Sequence, residues 1–199
     1  MVQQARVSIV ALFAGFYALT GLAWGPSWLR ATFFPSFLFV FCVPLGPLVE
    51  PITFPLRLLV TKIVTGFSQA VLGIDVIRDG TRVFNPDGRY EYEIAAACSG
   101  LRSLVATVAI ALIYAFVSFR KWWKRLALIG SAVPLAVIGN VVRMMTIIIG
   151  AEFGGQAAGA YVHEGGPLGI LSLLPYVPAI AGLLLLGRWL EETEPPAPT

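Results

Sequence analysis

Histidine occurs once in this chain of 199 residues, at His163, and cysteine twice, at Cys42 and Cys98. Two cysteines make no disulfide framework, and one histidine beside them falls short of the ligands of a zinc site. His163–Glu164–Gly165–Gly166 is not H-E-x-x-H, because no second histidine follows it. Gly66–Phe67–Ser68–Gln69–Ala70 comes nearest to the G-x-S-x-G nucleophile elbow and lacks its last glycine. There is no Walker loop to cradle a phosphate, and neither a metal nor a cofactor is expected. Charge is scarce too. Asp, Glu, Lys and Arg make up 13% of the chain, against about 25% in a soluble domain. The net charge of +3 comes without a basic run interleaved with stacking aromatics, which argues against a nucleic-acid partner. It fits the Lys and Arg that membrane proteins keep on cytoplasmic loops.

Apolar residues, by contrast, are abundant: 57% of the chain is hydrophobic and the mean hydropathy is +0.80. A globule this small leaves much of its surface in water, so it has no interior large enough for that composition. Lipid must take the place of a core, and the chain reads as an integral membrane protein. A span takes about 20 mostly apolar residues. Val7–Trp24, Thr32–Val49, Leu101–Phe119, Leu126–Gly150 and Leu168–Gly187 qualify. A sixth, Phe54–Ile74, carries Arg57 and Lys62 in its first half. A charge at a helix centre costs about 2.5–3.5 kcal/mol on insertion scales and less near an interface, where its stem snorkels. Both are therefore assigned to the cytoplasmic end. Residues 1–20 lack an A-x-A-like cleavage site and read as part of a retained first span.

The strongest basic loop, Arg120–Lys121–Trp122–Trp123–Lys124–Arg125, sets the orientation, its tryptophans suiting the headgroup belt. With that loop in the cytoplasm, six spans put both termini inside. Arg6, Arg57, Lys62 and Arg188 join it there, and Arg30, Arg78, Arg82 and Arg89 lie outside. The main polar segment, about Asp75–Ala97, then faces out. Its Asn85–Pro86–Asp87–Gly88 turn signal, followed by the alternating Tyr90–Glu91–Tyr92–Glu93–Ile94, predicts a small β-hairpin over the outer helix ends. The expected fold is an all-α polytopic membrane protein of about six transmembrane helices with that hairpin-like outer loop. Residues 1–190 form its single transmembrane domain, and residues 191–199, acidic and proline-rich, read as a disordered cytoplasmic tail. The small residues of Gly150–Ala160 read as a helix-packing surface.

This topology gives three reactive residues a similar depth near the outer face. Cys98 sits in Ala97–Cys98–Ser99–Gly100–Leu101–Arg102 where the outer loop enters a span, Arg143 in Asn140–Val141–Val142–Arg143, and His163 just before the last span. A lone cysteine at a helix start is usually a small buried hydrophobe, and Cys42, beside Phe39–Val40–Phe41, reads that way. A lone histidine there more often serves as an interfacial hydrogen-bonding residue. Arg143 is harder to dismiss, because an arginine between Val141–Val142 and Met144–Met145 is costly unless it faces a polar cavity. Asn140, three residues earlier, shares its face, and Arg102 lies one turn beyond Cys98. The set fits acyl transfer through a thiolate, which nearby cations or a helix N-terminus favour. Histidine would move the proton, and arginine would supply donors to the developing oxyanion.

These segments resemble the exosortase/archaeosortase family of membrane cysteine transpeptidases. Ala97–Leu104 (Ala-Cys-Ser-Gly-Leu-Arg-Ser-Leu) looks like that family's nucleophile motif, Asn140–Arg143 like its Asn-x-x-Arg motif, and His163 with its glycines like its histidine segment. The likeness runs from about Phe33 to Gly187 and includes Phe34–Pro47, Pro55–Leu72 and Leu72–Val76. The chain looks like a shortened member, without the additional N-terminal spans and the Tyr-Ser-His-Gly-like segment of longer exosortases. The resemblance implies Cys98 as nucleophile, Arg143 as transition-state stabiliser and His163 as proton-transfer residue, with Arg102 and Asn140 in support. It implies cleavage of a C-terminal sorting signal (a short motif, a transmembrane helix and a basic tail) on exported proteins. Transfer to a lipid- or glycan-linked acceptor at the outer face of the cytoplasmic membrane would follow.

Two other classes compete. A transporter or channel subunit would explain Arg143 and Arg102 as ligands for an anion, but no acidic residue lies deep in a span and no inverted repeat is present. A non-enzymatic assembly subunit of a surface-polymer export system would leave Cys98, Arg143 and His163 without a task.

Overall fold

The computed structural model describes residues 2–43, 46–93 and 101–192. The chain forms two compact units, residues 1–50 and 51–199.

In the first unit, α1 (Val2–Phe37) breaks at Gly25, whose φ of 81° and ψ of 177° lie outside the helical region. That conformation is reserved largely for glycine, and Pro26, lacking an N–H, starts the second arm at no hydrogen-bonding cost. The two arms lie side by side. Tyr17 donates its hydroxyl to the Leu29 carbonyl at 2.5 Å, and the Phe13 ring stacks on Phe39 at 4.3 Å, within the 3₁₀ turn Leu38–Cys42. The predicted span at 7–24 is thus the first arm of one kinked helix, whereas that at 32–49 takes in the end of the second arm, the 3₁₀ turn and the start of a helix that begins at Gly46. Cys42, predicted to be buried, is exposed at the end of the second arm, because an apolar outer surface in this chain faces its surroundings rather than protein.

In the second unit, α2 (Gly46–Val71), taken from Pro51 onward, leads to three short strands. These are β1 (Ile77–Asp79), β2 (Arg82–Phe84) and β3 (Glu91–Glu93), antiparallel in the order β1-β2-β3. Where the sequence predicts a two-stranded hairpin, β1 adds a third strand, pairing Ile77 with Phe84 and Asp79 with Arg82. Between β2 and β3, Asn85 accepts the Asp87 N–H on its side chain at 2.8 Å and the Gly88 N–H on its carbonyl at 3.0 Å. Then follow α3 (Leu101–Ser118), α4 (Trp122–Glu164), the 3₁₀ segment Pro167–Leu173 and α5 (Tyr176–Glu192). The expected tail boundary at 190 falls inside α5, and residues 193–199 lie outside the described ones.

Two cores hold this unit. One joins Val60 and Val64 of α2, Val76, Val83 and Tyr90 of the sheet region, and Met144, Ile147, Ile148 and Ala151 of α4. The other joins Ala111, Ala115 and Phe119 to Leu128 and Ala132 of α4 and Leu183 and Leu190 of α5. Small residues let the second set of helices approach: a side chain at Gly139 would collide with the Pro175 carbonyl. Among the described residues, three helices are long and apolar enough to cross a membrane: Gln4–Cys42, Trp122–Glu164 and Gly169–Glu191. Ser103–Ser118 is a shorter apolar helix. The predicted spans at 54–74 and 101–119 correspond to α2, which carries Pro51 and Pro55 within its helix and is charged at Arg57 and Lys62, and to the 18-residue α3.

The basic loop is not uniformly solvated. Lys124 is 1% exposed and donates to the Leu190 carbonyl in the last turn of α5, a helix end that favours a cation. The Phe119 and Trp123 rings lie 5.9 and 5.7 Å from its ammonium. Arg125 donates Nε to the Phe119 carbonyl at 2.6 Å and covers the Phe116 ring at 4.5 Å.

Helix α4 breaks at Gly155 (φ 68°, ψ −170°), and its last residues fold back along it. A Cβ at Gly150 would lie 3.1 Å from Val162 Cγ2. The small residues of 150–160 therefore pack a helix against itself.

Two substitutions test these features. Lys124→Met removes a buried charge-assisted hydrogen bond worth about 1.5–3 kcal/mol. The thermal midpoint in detergent is expected to fall by about 3–12 °C, while Arg120→Ala, at an exposed position, leaves it unchanged. With Cys42 and Cys98 replaced by Ser, Gly150→Cys and Val162→Cys are expected to form a disulfide. Adding Gly155→Ala, which strains the fold-back by about 1–3 kcal/mol, is expected to weaken that cross-link on a non-reducing gel.

Candidate functional site

The fold-back of α4 decides where the histidine segment goes. His163 lies 20 residues beyond Arg143 along the chain, yet the Arg143 guanidinium donates Nη2 to the His163 carbonyl at 3.3 Å. Both residues are partly buried. The glycines after His163 end the helix there. Gly165 takes a φ of 103°, its N–H bonding back to Tyr161 and Val162, and the Gly166 N–H reaches the Tyr161 carbonyl at 2.9 Å. This is the paired C-terminal closure that glycine makes at little cost. A Cβ at Gly165 would lie 2.9 Å from the Gly169 Cα, so the position excludes side chains on space as well as on φ.

Asn140 is 4% exposed and shares a cavity with Leu104 of α3 and with Thr53 and Arg57 of α2. The first turn of α3 therefore lies against the Asn140 turn of α4. Cys98 lies outside the described residues, as does the Arg102 side chain; the Arg102 backbone is in the first turn of α3. The structure thus brings Arg143 to His163, and Asn140 to the start of α3.

Three contributors escape a reading of the sequence. Arg57, predicted to snorkel at the cytoplasmic end, is 7% exposed and sits in the cavity with Asn140. There α2, α3 and α4 surround it with mostly apolar side chains, and its Nη2 donates to Thr53 Oγ1 at 3.4 Å. The second contributor is Gln156, next to the break, whose side-chain amide brackets Glu91. It accepts the Glu91 N–H at 3.0 Å and donates to its carbonyl at 3.2 Å, closing the outer edge of β3. The third is the pair Tyr90 and Glu152, hydrogen-bonded at 3.3 Å, with Arg89 3.7 Å from the same carboxylate. Burial and the neighbouring Glu152 charge push the Tyr90 hydroxyl up to about 12, so near neutral pH it is a donor. These contacts pin β3 on the break of α4. Only the alternation of Tyr90–Glu93 signalled any of this in the sequence; the partners lie 62 to 65 residues away.

In chemical terms, Arg143 offers fixed hydrogen-bond donors next to the end of a short helical arm that carries an imidazole. Among the described residues, no group of His, Cys, Asp and Glu could hold a metal ion. Such an arrangement can stabilise a developing oxyanion and move a proton.

Neither a curated protein nor a solved structure matches the chain. A family model does match, that of the transmembrane exosortase (Exosortase_EpsH), and the match covers residues 1–174. It takes in α1 to α4 with the Asn140, Arg143 and His163 segments, and ends just past the 3₁₀ turn that follows them. The chain therefore belongs to the transmembrane exosortase family of membrane proteins.

Proposed function

We propose that this exosortase is a membrane cysteine protease-transpeptidase with Cys98 as nucleophile, acting on the C-terminal sorting signal of exported proteins. The observation that carries the reading is the Arg143–His163 contact at 3.3 Å, which joins two of the three motif segments through the break at Gly155. The third is tethered by covalent geometry. Cys98 precedes Leu101, the first residue of α3, by three positions, and three steps along the chain reach at most about 11 Å.

Membrane placement supports the same reading. A helix rises 1.5 Å per residue, so a hydrocarbon core of about 30 Å takes about 20 residues. Counted from the Trp122–Trp123 pair at one interface, that length ends near Arg143. Arg143 would lie at the outer headgroup level, with Met144–Gly154 and the sheet above it. The two arms of α1, then α2, α3, α4 and α5, would make six crossings with both termini in the cytoplasm.

In this reaction His163 takes the Cys98 thiol proton as the sulfur bonds to the scissile carbonyl carbon. The carbonyl electrons move onto oxygen, where Arg143 stabilises the charge. As the tetrahedral intermediate collapses, the C–N bond breaks and His163 returns its proton to the leaving amine. The resulting thioester is resolved by a nucleophile on a lipid- or glycan-linked acceptor, or by water, which frees the thiol. Arg102 and Asn140 are supporting groups.

The test is co-expression with a protein bearing a candidate C-terminal signal, read by intact mass. Wild type is expected to remove the signal helix and add acceptor mass, while Cys98→Ala leaves the precursor whole. Arg143→Lys is expected to slow processing by about 10²-fold or more, the usual loss of an oxyanion donor. Normal processing by Cys98→Ala would overturn the reading.

A further inference from the structure

Arg57 belongs to none of the three motif segments and stands on a helix that supplies no motif residue, yet it is 7% exposed. Burying a guanidinium costs several kcal/mol unless its surroundings satisfy it, so its neighbours indicate its task. Thr53, one turn earlier on α2, accepts a hydrogen bond from it at 3.4 Å, and the Phe54 ring lies 6.0 Å away. The cavity around it, about 20 Å³, is lined by Leu104 of α3 and by Ala136, Val137 and Asn140 of α4. That is room for about one water molecule, too little for a substrate. Asn140, itself 4% exposed, stands one turn before Arg143 on the same face of α4. Leu104 stands in the first turn of α3, six residues after Cys98. Three helices meet around one guanidinium and one carboxamide, at the joint between two motif segments.

We infer that Arg57 is a positioning residue: through the cavity it shares with Asn140, it fixes the Asn140–Arg143 turn of α4 against the first turn of α3. The inference rests on the proposed roles of Cys98 and Arg143. Arg57 acts on the reaction through Asn140 and does not touch the substrate. Its planar fork can engage groups on two helices at once, which the point charge of lysine does poorly.

A double-mutant cycle tests it. Arg57→Gln and Asn140→Ala are each expected to lower kcat for signal cleavage by about 10- to 100-fold, as small misplacements of catalytic groups do, with KM unchanged. The double variant is expected to be no slower than the slower single one, because both changes release the same turn. The same cycle is run on the alkylation rate of Cys98 by N-ethylmaleimide in a Cys42→Ser background, which needs no substrate. Losses that multiply in both assays would overturn the inference, as would an Arg57→Gln enzyme of wild-type kcat. If Arg57→Gln fails to fold, Arg57→Lys replaces it in the cycle under the same criteria. Cleavage by Cys98→Ala would sink the enzymatic reading, whereas coupled alkylation rates would still uphold the Arg57–Asn140 link. Cys98-dependent cleavage with multiplying losses would sink the inference alone.

Discussion

Residue 155 holds a backbone conformation that only glycine takes without strain, and the candidate site depends on it. At φ 68° and ψ −170°, a residue with a Cβ would pay of order 1–3 kcal/mol. An unbroken α4 would carry His163 about 30 Å beyond Arg143, at 1.5 Å for each of the 20 intervening steps. The break reverses the chain and brings the two into hydrogen-bond contact. It also gives the sheet a place to dock, since the partners of Tyr90, Glu91 and Tyr92 are Glu152 and Gln156, on either side of it. One glycine therefore positions a histidine and a sheet edge.

A second constraint is where the buried cations find their acceptors. The acceptors of Lys124, Arg57 and Arg143 include the Leu190 carbonyl, the Thr53 hydroxyl and the His163 carbonyl. Two of these acceptors are carbonyls in the last turns of helices, where the partial negative charge collects and the intrahelical donors run out. A cation in such a place ties one helix end to another element, so each does structural work whatever its further role. Lys124, which hydropathy alone would send to solvent, is held inside in this way.

The helical architecture was legible because apolar runs of span length leave few other readings. The boundaries were less so. Gly25 and Gly155 sit inside apolar helical stretches, where Pro26 after the one and Gly154 before the other are only weak turn signals; the packing of the two arms selects the break at φ 81° or 68°. The turn at Asn85–Gly88 announced β2 and β3 through its residues, whereas β1 follows from pairing with β2. At the site, Asn140, Arg143 and His163 stood out as polar groups in apolar surroundings or beside glycines. Arg57 stood out equally and was assigned to an interface, since a single helix cannot reveal that two others enclose its charge. Gln156 carried no signal at all, because its meaning lies in the backbone of Glu91.

The surroundings of α4 bear on what kind of machine this exosortase is. Of its most apolar stretch, 44% is buried against protein, where the corresponding stretches at the N-terminus and at α5 have 11% and 17%. Beyond Asn140 the burial continues through Met144, Met145, Ile147, Ile148 and Ala151, covered by α2 and the sheet. A conduit for an anionic solute would need a wet path past Arg143 and Arg57. The cavity at Arg57 holds about one water and is walled by Leu56, Val60, Leu104, Ala136 and Val137. Close packing of this kind resists the rocking that alternating access needs. It suits a rigid support that keeps a few polar groups in fixed geometry, which is what stabilising a short-lived charge requires.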